Sequence, residues 1–325
     1  MCYSAQVWAD YKKFVRHFGA VMGIREFWNT VWTRTHEPEA RIKLPKAFDA
    51  AFDEPQTDDE RAIKAEIDAF TAQEVTRTEQ ELFAQRTRLV DAERKLAAKP
   101  TKKAAEDQRI STAKIDAARA RLQDLQRTEL EDRDSRIFPG MWVPVMVMEE
   151  GRRVVKPMRY QCRPEGKPAS IDRQFPGVYN ARRDNLEGPF WKPIFGYRHG
   201  IMVVNAFFEN VKRHAMEHRE LAAGEAEENV VLEFRPRPLQ DMLIACLWSR
   251  WLPPGEPEGR ELLSFAAITD EPPAEVAAAG HDRCIVQIKS EHIDAWLNPD
   301  PANLAAQYAI LDDRERPYYE HRLAA

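Results

Sequence analysis

The chain has 325 residues, with 48 Lys and Arg against 53 Asp and Glu and a net charge of −5. That length fits one or two domains of about 100–200 residues, and the charge excludes a broad basic field for duplex DNA or a membrane, so any nucleic-acid site has to be a local patch. Cys2, Cys162, Cys246 and Cys284 form no C-x-x-C pair and no secretory leader is visible, which predicts free thiols in a reducing cytoplasm; no apolar run approaches the roughly 18 residues of a membrane span.

The chain begins Met1-Cys2-Tyr3-Ser4. An initiator methionine is trimmed when the next side chain is small, and Cys2 would then be a terminal 1,2-aminothiol. Its amine has an ordinary pKa of roughly 7.7–8.0 and its thiol one of about 8.5, so both nucleophiles are partly deprotonated near neutrality. Such a group condenses with an aldehyde to an imine, and the thiol then closes a five-membered thiazolidine. Taken alone, Cys2 reads more simply as the second residue of a cytosolic protein, because a nucleophile is recognised by the groups that activate it.

Val7, Tyr11, Phe14, Val15 and Phe18 fall at helical spacing, which predicts a helix close behind the N-terminus. After Gly19 and Gly23 the apolar face resumes with Ile24, Phe27, Trp28, Val31 and Trp32. From residue 56 to 134 the composition turns to Ala, Glu, Lys, Arg, Gln and Asp, with no Gly and a single Pro at 100, which is helix-forming chemistry. Val75, Leu82, Leu89 and Leu96 lie seven apart, Ile63, Ile67 and Phe70 precede them, and Ile115, Ala118, Leu122 and Leu125 repeat the stripe. Residues 99–103 are the natural turn of an antiparallel hairpin. Mixed charge makes its outer faces solvated, and its stripe leaves self-association or another protein partner open.

After Asp134 the pattern becomes strand-like: residues 141–148 and 153–162 with a turn at Glu149-Glu150-Gly151-Arg152, then 200–209, 229–234, 242–248, 262–269 and 284–288. Residues 272–280 read as a short helix stopped by glycine, and 290–297 as another with Ser290 as N-cap. The fold class predicted is α+β: a strand-rich domain with a curved, barrel-like antiparallel sheet and short helices, built from 1–55 and 135–325, carrying an inserted helical hairpin at 56–134.

Three places put polar groups where a strand or turn would otherwise be bland. Asn180 and Arg182 are two apart, so on a strand they share a face and can hold a sugar or phosphate, or be a capped turn with solvated arginines. Glu209 ends the apolar run of Phe207 and Phe208, where partial burial would suit it to proton transfer; the plainer reading is a strand-end carboxylate reaching solvent or an arginine. His281, between a helix and a strand, is either a general acid or base with Asp282 or a backbone group setting its tautomer, or a structural loop histidine. Cys and His spacings do not match structural zinc, and Cys162, Cys246 and Cys284 read as buried core thiols.

Taken together, Met1-Cys2, Asn180-Ala181-Arg182 followed by Asp184, Phe207-Phe208-Glu209, and His281-Asp282-Arg283 before a hydrophobic strand resemble the SRAP family, the SOS-response-associated peptidases and abasic-site crosslinking proteins. The strand at 242–248, the run 265–269 and Pro299 after Trp296-Leu297 support the resemblance, which covers roughly 1–35 and 135–325. It implies that Cys2 captures the ring-opened aldehyde of an abasic site in single-stranded DNA after removal of Met1. It further implies that Asn180 holds the open sugar or the amine, Glu209 shuttles protons and His281 acts on the sugar oxygen, with no cofactor or metal. Arg182 and Arg183 become candidate DNA contacts, and Trp191, Lys192, Arg198, His199, Arg213 and His214 candidates for stacking and phosphate binding. The location implied is cytoplasmic, at the nucleoid on damage. Tyr3-Ser4 stands where the family has Gly-Arg, Asn210 replaces an aromatic, and Tyr160-Gln161 stands for a Trp-Gly pair. Two other readings stay open: a cysteine hydrolase using Cys2 with His281 on peptides or amides, and a scaffold acting through the hairpin.

Overall fold

A computed structural model describes residues 4–255 and 260–324. The chain divides into two compact units, one of residues 1–30, 41–54 and 131–325, the other of 31–40 and 55–130.

The first unit holds the strands β1 (Ser4–Val7), β2 (Val21–Met22), β3 (Arg136–Ile137), β4 (Trp142–Glu149), β5 (Arg152–Tyr160), β6 (Asn180–Arg182), β7 (His199–Lys212), β8 (Asn229–Arg237), β9 (Met242–Trp251), β10 (Leu262–Asp270), β11 (Cys284–Ile285), β12 (Gln287–Ile288) and β13 (Tyr318–Leu323). Their order is β12-β9-β10-β5-β4-β7-β1-β3, and a further pairing of β7 with β9 closes the ring β9-β10-β5-β4-β7 into a barrel. Closure leaves the ring strands without open edges. Most pairs are antiparallel, but β2 with β5, and β10 with β5 and β6, run parallel.

Local chemistry accounts for the first hairpin of this sheet. Glu150 and Gly151 adopt φ of +48° and +74°, the double left-handed geometry of a two-residue turn whose twist matches its strands, and Glu149 pairs with Arg152 as the sequence predicts. β7 is fourteen residues long, more than twice the usual strand, and serves two neighbourhoods. Its first half, His199 to Val204, pairs with β9; its second half pairs with β8 on one side and β1 on the other. Phe207 stacks on Phe234 at 5.0 Å with Tyr319 edge-on. Burying each such ring stabilises the fold by about 1.5–3 kcal/mol.

The N-terminal reading needs correction. Val7 belongs to the buried strand β1 rather than to a helix, because Ser4–Val7 is recruited between β7 and β3 and tertiary pairing overrides a five-residue helical spacing. The helix α1 (Tyr11–Phe18) begins at Tyr11 behind the N-cap Asp10, followed by α2 (Ile24–His36) and α3 (Lys46–Ala50). Tyr11, Phe27, Phe48 and Phe52 gather there into a buried aromatic cluster.

In the second unit α4 (Asp58–Ala98) and α5 (Lys102–Gln126) form the hairpin. Thr57 and Thr101 cap their N-termini through side-chain oxygens, and Lys99, held extended by the following proline, ends α4. The buried seam combines small and polar residues, Ala92, Ala104, Ser111, Ala118 and Gln85, with Ile115, whereas the predicted leucine stripe, Leu82, Leu89 and Leu96, is half-buried. Short side chains let the helices approach, and Arg88–Asp107 (2.6 Å) and Lys114–Glu81 (3.4 Å) tie them across the seam. Phe83 and Val90, one heptad apart, stay exposed on α4. Residues 31–40 group with the hairpin because Thr35 and His36 bond Glu66 and Arg34 stacks on Phe70.

The remaining helices are short: α6 (Ile171–Gln174), α7 (Arg213–Met216), α8 (Ala274–Ala278), α9 (Ile293–Leu297) and α10 (Leu304–Asp312). Ser290 does not cap α9; it opens a 3-10 turn that leads into it. Among the described residues no helix is long and apolar enough to cross a membrane.

Candidate active site

β7 carries Glu209 through the interior of the sheet rather than ending at it, since three more strand residues follow. Residues 206 to 209 are all buried, so the alternation of an ordinary half-exposed strand is lost and both faces are covered, while β1 and β8 pair with the strand's two edges. Glu209 has no exposed surface.

His281 arrives from the other end of the chain. Gly280, at φ +93°, ends the α8 segment in a conformation that favours glycine, and a Cβ there would come within 3.2 Å of Ala215 on α7. The turn aims the imidazole inward, where its Nε2 stands 3.2 Å from Glu209 Oε2. Its Nδ1 lies 2.8 Å from the Arg283 carbonyl oxygen. The Arg283 N–H also approaches Nδ1, at 3.3 Å; the shorter contact to the carbonyl, which only accepts, favours the tautomer with the proton on Nδ1, and that tautomer turns the Nε2 lone pair toward the Glu209 carboxyl. Burial holds the His281 pKa below the ordinary histidine value. Burial first, and the Glu209 charge after it, push the neighbouring Cys284 thiol up.

Asn180 lies on β6, buried, with its Oδ1 accepting from the Tyr160 hydroxyl at 3.4 Å. β6 pairs with β10 at Ala267 to Thr269, and β11 pairs with Thr269 and Asp270, so Asn180 and the His281 loop flank the same end of β10. Asp184 links them: it accepts from Arg182 (2.5 Å) and faces Arg283 at 3.8 Å. Arg182 is exposed, while Arg183 is half-buried between Asp312 and Asp270.

Four expected DNA contacts sit elsewhere, and one of them, His199 at the start of β7, is buried against Phe195 and Trp296. Trp191 is buried, packed edge-on against Phe190, and offers no face to a base. Arg198 precedes His199 at the start of β7, pairs with Glu165 and lies over Trp248; ten strand steps separate that end from Glu209, roughly 33 Å along the strand. Lys192 is exposed in the same far segment. Arg213 is held by Glu228 and Glu217.

Cys2, the expected nucleophile, lies outside the described residues together with Tyr3. Ser4 is buried and pairs with Phe208, the neighbour of Glu209. The other three cysteines are buried free thiols; burial raises the Cys162 pKa to about 12 and pushes Cys246 and Cys284 higher still, which removes all three as thiolate nucleophiles near neutrality. Two residues carried no sequence signal: Tyr160, seen only as a substitution, and Arg136, whose Nε–H donates to Ser4 Oγ at 3.2 Å. Nothing in local spacing connects either to its partner.

A profile of the family described as SOS response associated peptidase (SRAP) matches residues 97–322. The match takes in α5 and most of the sheet and leaves out residues 1–96, Cys2 among them. No curated protein matches. Solved structures that are similar include a protein from Bacteroides thetaiotaomicron, 16% identical with TM-score 0.45 over 59% of this chain and 78% of that one. Another, from Bordetella bronchiseptica, is 16% identical with TM-score 0.45 over 59% and 87%. A phage-related protein from Bordetella bronchiseptica is 18% identical with TM-score 0.43 over 62% and 85%.

Proposed function

From its place in the SOS response associated peptidase family, to which the chain belongs, we propose that its part in the response to DNA damage is the covalent capture of abasic sites in single-stranded DNA. The observation that carries this reading is the buried pair Glu209–His281, 3.2 Å apart, beside the strand that begins two residues after Cys2. Two residues of chain reach at most about 7 Å, so the terminal amine and thiol are tethered close to Ser4 and hence to the strand that bears Glu209.

Removal of Met1, by the protein itself or by an aminopeptidase, hydrolyses the Met1–Cys2 bond and frees the amine. The amine adds to the aldehyde carbon, and the resulting hydroxyl leaves as water once protonated. The Glu209–His281 pair supplies that proton and takes one from nitrogen, a role suited to a carboxyl and an imidazole held within reach of each other. The Cys2 sulfur then bonds the imine carbon while its proton passes to nitrogen. The balance is one water lost per adduct. Asn180, which accepts from the Tyr160 hydroxyl, binds a hydroxyl of the opened sugar in this reading, and exposed Arg182 meets a phosphate. The raised pKa values of the other thiols leave Cys2 as the nucleophile. The exposed Phe83 and Val90 favour the hairpin as a surface for a protein partner or a second copy, and the working location is the cytoplasm, at damaged nucleoid DNA.

The test is incubation with an oligonucleotide bearing one abasic site, followed by denaturing electrophoresis. We expect a denaturation-resistant adduct that is absent with Cys2→Ala and with undamaged DNA. An adduct that persists in Cys2→Ala would contradict the assignment, and attack on a peptide or amide with no DNA adduct would favour a hydrolase.

A further inference from the structure

We infer that Arg136 is a further substrate-binding residue, holding a backbone phosphate of the single strand whose aldehyde is captured. The inference rests on the capture reading for its substrate and on independent geometry for the residue.

β3 is a two-residue strand on the outer side of β1, in a register that sets Arg136 opposite Gln6. Side chains alternate along strands, so Arg136, Gln6, Ser4 and the Ser4 partner Phe208 share one face. On it the Arg136 guanidinium donates from Nε to Ser4 Oγ at 3.2 Å. Its carbon lies 3.7 Å from the centre of the Phe208 ring and 5.1 Å from that of Phe138. A hydroxyl and two rings thus fix the plane of a cation whose fork matches phosphate, and a donor fixed beforehand loses little entropy on binding.

Position supplies the rest of the argument. Arg136 is joined to Ser4, where β1 begins and from which the chain runs back to Cys2. A DNA strand whose sugar reacts with that terminus carries phosphates on either side of the sugar. Because Phe208 and Glu209 are consecutive on β7, they face opposite sides, so Arg136 serves the side away from the proton pair. It therefore takes a flanking phosphate and leaves the reacting sugar to Glu209, His281 and Asn180.

The experiment compares the full-length wild type with Arg136→Gln and Arg136→Lys on two aldehydes, an abasic-site oligonucleotide and phosphate-free 2-deoxyribose, across a salt series. Arg136→Gln is expected to slow capture of the oligonucleotide about tenfold at low salt and to lower the salt slope of its binding by about 0.7, one single-strand phosphate contact. Capture of 2-deoxyribose stays at the wild-type rate, and Arg136→Lys, which keeps the charge but not the fork, falls between. Equal rates on the oligonucleotide, or an equal loss on both aldehydes, overturn the inference. If the wild type captures neither aldehyde, the capture reading fails, and binding of undamaged oligothymidylate then decides on Arg136. A weaker, less salt-dependent affinity in Arg136→Gln supports the phosphate contact, and unchanged affinity overturns it.

Discussion

The two ends of β7 each bury a histidine, and they differ in what the second ring nitrogen faces. At the near end His199 Nδ1–H donates to the Trp296 carbonyl at 3.1 Å and Nε2 accepts from the Gly196 N–H at 2.9 Å. Trp296 and Phe195 stack on its ring, and burial drags its pKa down to about 3. At the far end His281 Nδ1 is fixed by a carbonyl in the same manner, but Nε2 meets the Glu209 carboxyl. A backbone amide does not give up its proton at any working pH; a carboxyl does. Burial and a depressed pKa are common to both ends, so neither marks a site by itself, and what distinguishes the far end is an exchangeable partner.

That contrast breaks most visibly at the closed end. Trp296 is fully buried and its indole N–H donates to the Gly200 carbonyl, so Trp296→Ala should destabilise the fold by about 3–5 kcal/mol, read as a lowered thermal midpoint. Whatever fraction remains folded should capture aldehyde at the wild-type rate; a loss of capture with an unchanged midpoint would make the near end part of the site. At the far end the signature inverts. Glu209→Gln should slow adduct formation about 10²–10⁴-fold, the usual worth of positioned acid–base catalysis, with little change in melting.

Acid sharpens the same comparison. The native His199 pKa of about 3 lies below the ordinary value of 6.5, so below 6.5 the unfolded chain binds the proton that the native state refuses. Stability is therefore lost as pH falls from about 6.5 toward 3, by about 2 kcal/mol between pH 7 and pH 5 from this group. Denaturant unfolding at the two pH values measures it, and His199→Gln should flatten the slope even if it lowers the plateau. His281, shifted the same way, adds to the slope. The smallest effect belongs to the hairpin surface: Arg88 and Asp107 are both only partly buried, and Arg88→Gln should leave the melting midpoint nearly unchanged.

What the sequence disclosed follows how local each feature is. The hairpin turns at Glu150-Gly151 and at Lys99-Pro100 were legible because φ preferences and proline act on neighbours alone. The strand β1 was not, since Val7 fits a helical period and is claimed by Val204 of β7, far along the chain. Glu209 and His281 were each nameable as unusual polar residues, but their contact depends on the turn at Gly280 and on the register of β7. For Trp191 and Arg198 the limit is the converse one: burial of the first and the length of strand that separates the second from Glu209 are properties of the folded sheet that local spacing does not carry. Arg136 gave no signal at all, because its meaning lies in Ser4 and Phe208.

The most direct test of the account is the intact mass of the product formed by Met1-processed protein and an abasic-site oligonucleotide, followed by mapping of the modified residue. The predicted result is the sum of the two masses less one water, placed on Cys2 and abolished by acetylating the terminal amine. An adduct placed on a lysine, or one that forms just as well on the acetylated protein, would contradict it.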